Sequence, residues 1–312
     1  MLLSGEGTTL PQAEAQSLFL AYDRTSTFSS PCPRVLIVDS GADPFVIGSR
    51  IAFARRVGLL VEDQRDAANI LRGHRIRFRG FDLVAHRTQP NPDRYLRGID
   101  STIDLQNPEY ELSLVRGPGE YLAITNPTSM RQAWSTRRPR ARPYFHPSAI
   151  FPKLSRALFN LSRCKEGEIF LDPFAGTGSI PLEAYLMGAR VVAIDQVEKM
   201  VRGSLSNMHH FGQSWLGIVR ADSTLQPLSR VDAVATDIPY GRASSTRGRG
   251  TGEILGAMLP PLARMVGSGS LLVLMHPQDV PVPRMAEFTV EEEHHLHVHK
   301  LLTRTISILR RR

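Results

Sequence analysis

From Phe145 onward the chain alternates short apolar runs with segments of helical periodicity, and this alternation constrains its fold more than any other feature. Predicted strands cover residues 168–171, 190–194, 217–220, 233–236 and 270–275, and predicted helices cover 152–163, 198–211, 253–266 and a segment from Ser179. Alternating strands and helices indicate an α/β, Rossmann-like domain with a parallel sheet. Two adjacent strands near 289–299 and 303–309 add an antiparallel edge, giving a seven-stranded, mostly parallel sheet.

The preceding residues indicate a smaller α+β region. We predict helices at 10–22 and 43–60 around a strand at 34–39, and later strands at 100–116 and 120–124. The turn between the last two strands is Gly117-Pro118-Gly119. No internal repeat is evident along the chain.

A basic strand is predicted at residues 75–79. Its period of two places Arg75, Arg77 and Arg79 on one face, opposite Ile76 and Phe78. One interpretation is an edge strand protected by charge. The other is a basic surface for RNA phosphates.

The net charge of +8 is unevenly distributed. Residues 1–137 hold 16 Lys and Arg against 15 Asp and Glu, whereas residues 138–312 hold 22 against 15. Most of the basic residues are arginine, which forms bidentate contacts with phosphate, so a polyanionic partner is favoured. Between the halves, residues 131–143 carry five arginines and predict an extended, solvated linker whose charge suits an RNA backbone or simply water.

Several classes of protein are disfavoured. No apolar run approaches the roughly 20 residues of a membrane span, and the first residues lack the pattern of a signal peptide, so we expect a cytoplasmic protein without a membrane partner. Cys32 and Cys164 are too few for a disulfide framework. The histidines between 294 and 299 lack completing carboxylates or thiols, so we predict no metal site.

A glycine-rich turn, residues 172–179, follows the first predicted strand of the sheet. Ligands of open α/β sheets bind at this end of a strand. Gly176 and Gly178 allow the backbone to approach a ligand closely. The turn lacks the Gly-Lys-Ser/Thr of an ATP-type phosphate loop.

Two acidic residues follow the next strands. Asp195 ends the second strand, where a carboxylate can accept both hydroxyls of a ribose, and Asp222 follows the third, where it can accept the amino group of an adenine. These features suit NAD and S-adenosylmethionine equally.

The sequence Asp237-Ile238-Pro239-Tyr240-Gly241, after the fourth strand, discriminates between these cofactors. The lone pair of an exocyclic amine is delocalised into its ring. A carboxylate at Asp237 and a carbonyl at Ile238 or Pro239 can hold the two N–H bonds, so that the lone pair points at a methyl donor. Tyr240 can stack on the base. The motif therefore predicts methyl transfer from S-adenosylmethionine to an amine.

The chain resembles the THUMP-containing tRNA guanine-N2 methyltransferases, which act at tRNA position 10 in archaea and eukaryotes. The resemblance rests on residues 3–6 with 9–11, 103–108, 142–147, 172–179 with 237–241, and 297–304. It implies a ferredoxin-like segment at 1–60, a THUMP RNA-binding domain at 61–130, the basic linker at 131–143, and a class I methyltransferase domain at 144–312.

The resemblance also implies the site and its partners. The catalytic residues are then Asp237, Pro239 and Tyr240. Cofactor-binding residues are Phe145, His146, Asp172, Phe174, Gly176, Thr177, Gly178, Asp195, Asp222 and Asp237. The partners are tRNA and a small zinc-binding activator protein. The expected reaction is methylation of guanosine N2 in tRNA.

One position departs from the family's usual Asp-Pro-Pro-Tyr tetrad, because Ile238 replaces the first proline. The substitution is tolerable if this position acts through its carbonyl. Two alternatives follow: an amino-methyltransferase acting on rRNA or DNA, and a THUMP-type RNA-binding protein that has lost its activity.

Overall fold

The structure, a computed structural model, describes residues 1–6, 9–83, 90–128, 133–212, 217–224, 228–240, 249–299 and 302–312. Over these residues the chain divides into two compact units, Met1–Gln132 and Ala133–Arg312. Within the same ranges, no helix has both the length and the apolar composition that a membrane crossing requires.

The first unit begins with an antiparallel sheet and its helices. In chain order these are β1 (Leu2–Leu3), α1 (Leu10–Tyr22), β2 (Thr27–Cys32), β3 (Val35–Asp39), α2 (Pro44–Arg50) and β4 (Ala54–Arg56). The strand order is β2-β3-β1-β4. Leu18 of α1 packs in a buried cluster with Leu36 and Ile47. The helix predicted at 10–22 is confirmed, and the strand predicted at 34–39 is confirmed from Val35.

Helix α2 is much shorter than the helix predicted at 43–60, which was wrong beyond Arg50. The backbone becomes extended at Ile51. The buried carboxylate of Glu14 accepts the N–H groups of Ala52 at 2.9 Å and Phe53 at 2.8 Å. These bonds satisfy donors that a continuing helix would otherwise pair internally, so the chain leaves the helix and forms a strand.

A second sheet completes the first unit. Its elements are β5 (Leu59–Val61), α3 (Gln64–Leu71), β6 (Arg75–Asp82), α4 (Asp93–Leu96), β7 (Thr102–Ile103), β8 (Tyr110–Arg116) and β9 (Glu120–Thr125), in the strand order β5-β9-β8-β6-β7. The continuous strand predicted at 100–116 was wrong. The Asp104 carboxylate accepts the N–H groups of Gln106 and Asn107, each at 2.9 Å, and this turn separates β7 from β8.

Strand β6 lies between β8 and the two-residue β7 only at Arg75 and Ile76, so the edge-strand interpretation was wrong for these two residues. From Arg77 onward, no described strand pairs with this side of β6. Ile76 is fully buried, as its alternation predicts. On the opposite face the arginines bind acidic residues of the neighbouring strand and turn. Arg77 Nε lies 2.6 Å from Glu111, whose side chain has no exposed surface, and Arg75 pairs with Glu109. These contacts give the arginines a structural role, and contact with RNA phosphates stays a prediction.

The second unit contains the predicted Rossmann-like sheet. Its strands are β10 (Ile169–Asp172), β11 (Arg190–Asp195), β12 (Gly217–Arg220), β13 (Ala233–Asp237), β14 (Leu271–Pro277), β15 (Phe288–His299) and β16 (Leu302–Arg311). In the part of the chain that the structure describes, these seven strands have the order β12-β11-β10-β13-β14-β16-β15, and β16 is antiparallel to both neighbours. The seven-stranded, mostly parallel sheet is confirmed.

Helices pack on this sheet. They are α5 (Pro152–Leu161), α6 (Ser179–Leu186), α7 (Glu198–His210) and α8 (Thr251–Met265). Met258 and Leu262 of α8 lie in one buried cluster with Val234 of β13. Because the strand order reverses beside β10, strands β10, β11 and β13 meet at a switch point, and each ends on an aspartate at the same edge. That edge is where a ligand of such a sheet binds.

The basic segment before the sheet was expected to be an extended, solvated linker, and this was wrong for the described residues 133–143. They belong to the second unit and form short 3₁₀ helices at Ser135–Arg137 and Pro139–Ala141. Arg137 Nε bonds the buried Glu183 at 2.7 Å, and Arg142 Nη1 bonds Ser179 Oγ at 2.8 Å. Arg156 of α5 also pairs with Glu183, at 2.7 Å, so Arg137 is a second cation on this buried carboxylate, and its bond holds this part of the segment on α6. Arg131 lies outside the described residues.

Candidate active site

The glycine turn leaves β10 through two left-handed residues. Gly176 has φ +51° and Gly178 has φ +78°, which side chains rarely adopt. A Cβ on Gly178 would lie 2.3 Å from Ser204 Oγ, so this glycine lets the turn pack against α7. Apart from Gly176 itself and its two chain neighbours, no described residue has an atom within 4 Å of a Cβ built on Gly176. The turn therefore leaves open space beside the half-buried backbone of Gly176, at the sheet edge.

Asp195, at the end of β11, holds this turn. Its Oδ2 accepts the Gly176 N–H at 2.9 Å and its Oδ1 accepts the Val197 N–H at 2.8 Å. Burial raises the pKa of Asp195, while these bonds oppose the shift. Each carboxylate oxygen has a further lone pair, so the group retains capacity for a ligand hydroxyl.

Asp172, at the end of β10, is buried beneath the turn with 1% of its surface exposed. Its Oδ1 accepts Thr236 Oγ1 at 2.6 Å and the Phe174 N–H at 3.1 Å. Burial raises its pKa to about 7, and hydrogen bonds from Thr236 and Phe174 act in the opposite direction. Asp172 therefore connects the turn to β13, and its direct contact with a cofactor stays a prediction.

The motif at 142–147 is joined to the turn by a residue that sequence reasoning missed. Asn207 of α7 accepts the Tyr144 N–H at 2.8 Å, and its Nδ2 donates to the carbonyls of Tyr144 and Thr177, each at 3.0 Å. The Tyr144 ring packs so closely on Gly203 that a Cβ there would lie 2.0 Å away. An asparagine within a helix carries no local signal of this role.

The cofactor residues predicted within that motif are more exposed. Phe145 is 41% exposed, and the Arg140 guanidinium carbon lies 5.1 Å from the centre of its ring. His146 Nδ1 bonds Ser148 Oγ at 2.8 Å. Because Asn207 bonds both Tyr144 and Thr177, the motif runs beside the turn. Contact of Phe145 and His146 with a cofactor stays a prediction.

Asp222 lies beyond β12 in a polar setting. It accepts the N–H and Oγ1 of Thr224, at 3.0 and 2.8 Å, and pairs with Arg249 Nη2 at 3.0 Å. Burial alone would raise its pKa, but the Thr224 bonds and the Arg249 charge together lower it. Arg249 belongs to the arginine-rich segment after the tetrad, of which residues 241–248, including Gly241, lie outside the described residues.

The tetrad begins at the end of β13. Ile238 donates its N–H to the Met275 carbonyl at 2.8 Å, and its side chain is fully buried in the apolar core. A proline at this position could not make that bond. The carbonyl of Pro239 accepts Thr251 Oγ1 at 3.3 Å. The isoleucine thus extends the pairing of β13 with β14 by one residue.

Arg304, on β16, joins the tetrad from 67 residues away. Its Nη1 lies 3.1 Å from Asp237 Oδ2, and its guanidinium carbon lies 4.8 Å from the centre of the Tyr240 ring. The side chains of Asp237 and Arg304 are only 16% and 14% exposed. Burial raises the pKa of Asp237 to about 7, against the charge and hydrogen bond of Arg304. No spacing rule identified Arg304; only the resemblance over 297–304 included it.

Two polar atoms of this pair form no hydrogen bond within the part of the chain that the structure describes. Asp237 Oδ1 and Arg304 Nε are buried, and neither bonds any residue that the structure describes. An unpaired buried acceptor is costly unless a ligand fills it. The pair therefore offers one acceptor and one donor beside an aromatic ring.

A family model described as "RMKL-like, methyltransferase domain" matches residues 139–306, which is more than half of the chain. The matched span includes the glycine turn, the three strand-end aspartates and Arg304. The chain belongs to this methyltransferase family.

Curated relatives extend the likeness beyond the methyltransferase domain. The tRNA (guanine(10)-N2)-dimethyltransferase of Methanothermobacter thermautotrophicus is 28% identical over 337 aligned residues, which cover 100% of this chain and 98% of that protein. Its namesake in Methanocaldococcus jannaschii is 31% identical over 60% of this chain and 54% of that protein. The Saccharomyces cerevisiae tRNA (guanine(10)-N(2))-methyltransferase is 28% identical over 59% of this chain and 46% of that protein.

Solved structures resemble the fold over its whole length. TrmN from Thermus thermophilus matches with a TM-score of 0.52 and 19% identity, covering 100% of this chain and 98% of that one. A possible methylase from Clostridium difficile matches with the same TM-score and coverage at 12% identity. At such low identity these likenesses establish the fold alone. Within this methyltransferase domain, Asp195 bonds Gly176 and Asp172 bonds Thr236. Asn207 bonds both Thr177 and Tyr144 and so connects them.

Proposed function

We propose that the protein transfers a methyl group from S-adenosylmethionine to the exocyclic N2 amine of a guanosine in tRNA, at position 10. The observation that carries this proposal is the buried Oδ1 of Asp237, which bonds no described residue and lies at the carboxyl edge of a methyltransferase sheet, three residues before Tyr240. Relatives named for guanosine-10 methylation support the choice of amine and of tRNA.

Asp237 suits the chemistry of an aromatic amine. Its Oδ1 can accept one N–H of the guanine amine, and the carbonyl of Ile238 or Pro239 can accept the other. Held in this way, the amine presents its lone pair to the methyl donor instead of to its own ring. The Pro239 carbonyl bonds Thr251 at 3.3 Å but retains a second lone pair. Tyr240 provides the stacking surface for the base.

Methylation of N2 releases one proton, and Asp237 Oδ1 is placed to accept it. A free aspartate is a weak base, but burial raises the pKa of Asp237 to about 7, near the range in which proton transfer is efficient. Arg304 limits the rise, so the carboxylate is about half ionised at pH 7 and mostly ionised at alkaline pH.

The residues around the glycine turn fit S-adenosylmethionine. Gly176 and Gly178 give close backbone approach, and Asp195 retains capacity for ribose hydroxyls. The other proposed contacts are Phe145, His146, Asp172, Phe174, Thr177 and Asp222. When bound, S-adenosylmethionine supplies a methyl group from its sulfonium, which departs as the thioether.

The first unit is proposed to be the RNA-binding part, with a ferredoxin-like segment and a THUMP-type domain. Its two α+β sheets and the resemblance of residues 3–6, 9–11 and 103–108 support this assignment. The charge excess lies in the second half, so we expect the methyltransferase domain to contact RNA phosphates as well. The zinc-binding activator stays a prediction from the resemblance.

The test is transfer of tritiated methyl groups from S-adenosylmethionine to total tRNA, followed by nucleoside mapping. We expect label in N2-methylated guanosine at position 10, and none with tRNA in which that guanosine is replaced. Labelled adenosine would overturn the guanine assignment. Label in rRNA or DNA but not tRNA would favour the other amino-methyltransferases, and tRNA binding without transfer would indicate an inactive RNA-binding protein.

A further inference from the structure

Arg304 reaches Asp237 across an intervening strand. It lies on β16, opposite Pro277 of β14, and β14 separates β16 from β13. Its guanidinium passes the Met275 sulfur, 3.8 Å from Nη1, before meeting Asp237 Oδ2 at 3.1 Å. Tyr240 covers the guanidinium. A long side chain ordered along this path is fixed by packing as well as by its charge.

The two oxygens of Asp237 consequently differ. Oδ2 is held by Arg304, whereas Oδ1 bonds no described residue although it is buried. A carboxylate anchored through one oxygen has a fixed plane, so the direction of the other oxygen is set before any ligand arrives.

We propose that Arg304 is a positioning residue, which binds Oδ2 of Asp237 so that Oδ1 is ionised and aimed to accept an N–H of the substrate amine. This inference rests on the proposed function and assigns Arg304 no contact with the reacting nitrogen. Arg304 acts through Asp237.

The groups around Asp237 show why its ionisation depends on Arg304. Asp172, on β10, is a second acidic group. The negative charge of Asp237 raises the pKa of Asp172, so the two carboxylates disfavour each other's ionisation. On β14, the His276 imidazole bonds Ser307 and the Pro277 carbonyl. After β13, Tyr240 lies over Arg304. Among these groups Arg304 is the cation bound to Asp237, so ionisation of the buried carboxylate depends on it.

The kinetic test compares Arg304→Met with Arg304→Lys in the full chain. Loss of the charge should move the acid limb of kcat/KM upward by about one to three pH units, because a neighbouring cation lowers a carboxyl pKa by that amount. R304M should therefore be impaired at neutral pH and recover at alkaline pH, while R304K keeps a limb close to that of the wild type. Arg310→Met is the matched control, since Arg310 lies on the same strand but pairs with Glu291.

A second readout does not depend on activity. Carbon-13 NMR of labelled aspartate carboxyls, with Asp237 assigned through Asp237→Asn, should show the same upward shift in R304M and none in R310M. If R304M does not fold, Arg304→Gln also removes the charge and gives the same comparison. An unchanged Asp237 titration, or a loss of activity that is equal at every pH, would overturn the role of Arg304. If the wild-type chain methylates no tRNA, the proposed function fails, and the NMR comparison still decides the role of Arg304.

Discussion

Two carboxylates, one in each unit, bind arginines, but the pKa of one is lowered and that of the other is raised. Oε1 of Glu111, on β8, accepts hydrogen bonds from Arg56 Nε and Ser113 Oγ. Oε2 accepts one from Arg77 Nε, so both oxygens are paired. Burial would raise its pKa, but the arginine bonds and charges outweigh burial and lower it. Asp237 has Arg304 on one oxygen, and burial raises its pKa to about 7. A fully paired carboxylate holds strands together, whereas a partly paired one is left able to bind and exchange a proton.

The largest effect is expected at the carboxylate with the unpaired oxygen. Asp237→Asn keeps the shape but removes the ionised acceptor, so kcat/KM for tRNA methylation should fall about 10²- to 10⁴-fold. Affinity for S-adenosylmethionine, measured by calorimetry, should change little. A rate close to that of the wild type would remove Asp237 from the chemistry and leave the two carboxylates alike.

The matched change in the first unit is Glu111→Gln, which leaves the arginines around it without their counter-charge. Removing one partner of a buried ion pair costs about 3–5 kcal/mol, so urea unfolding should show a loss of stability of this size. The methylation rate of the folded fraction at saturating tRNA should be retained. Unchanged stability would show that the cluster contributes no structural energy.

The pH dependence should separate the two carboxylates further. Asp237 acts when ionised and its pKa is about 7, so kcat/KM should rise as pH passes upward through this value. Glu111 has a lowered pKa, so its contribution to stability is present above its unfolded pKa of about 4.3 and is lost only below it. Acidification from pH 8 to about 5.5, which is about 1.5 units below the pKa of Asp237, should therefore lower kcat/KM by about 30-fold while the contribution of Glu111 to stability persists. Parallel loss of activity and of the stability difference between wild type and E111Q would contradict this separation.

The smallest effect is expected for Arg79→Met. Arg79 Nε lies 3.8 Å from Glu111 and its side chain is half exposed, so its pairing is worth no more than about 1 kcal/mol in urea unfolding. The other arginines at Glu111 remain in place. A loss of stability as large as that of E111Q would mean that Arg79 contributes as much to the cluster as the arginines that lie closer to Glu111.

The second unit was predictable because its signals are local. Alternating apolar runs predicted each of its strands to within a few residues, and the strand-end positions of Asp172, Asp195 and Asp237 followed from the same pattern. Adjacent residues in the chain decide such elements.

Two of the errors arose where a distant charge decided a local conformation. Helix α2 ends because Glu14 lies 38 residues earlier and captures the Ala52 N–H. The basic segment is held on α6 because its Arg137 bonds Glu183, which lies 46 residues later in the chain. Arg304 was overlooked as a partner of Asp237 for the same reason, since no spacing rule links two residues that meet only after a sheet has formed.

The interleaving of the last strands affects the order in which the site can be assembled. Strand β15 precedes β16 in the chain, yet in the native order β15 pairs with β16, which lies between it and β14. During synthesis the chain through β15 therefore has no native neighbour for that strand, and the guanidinium of Arg304 is delivered with the strand that completes the sheet. Pairing of β16 with β14 would thus close the sheet and complete the Asp237 pair in one event, so a chain that lacks β16 could not form the complete amine site.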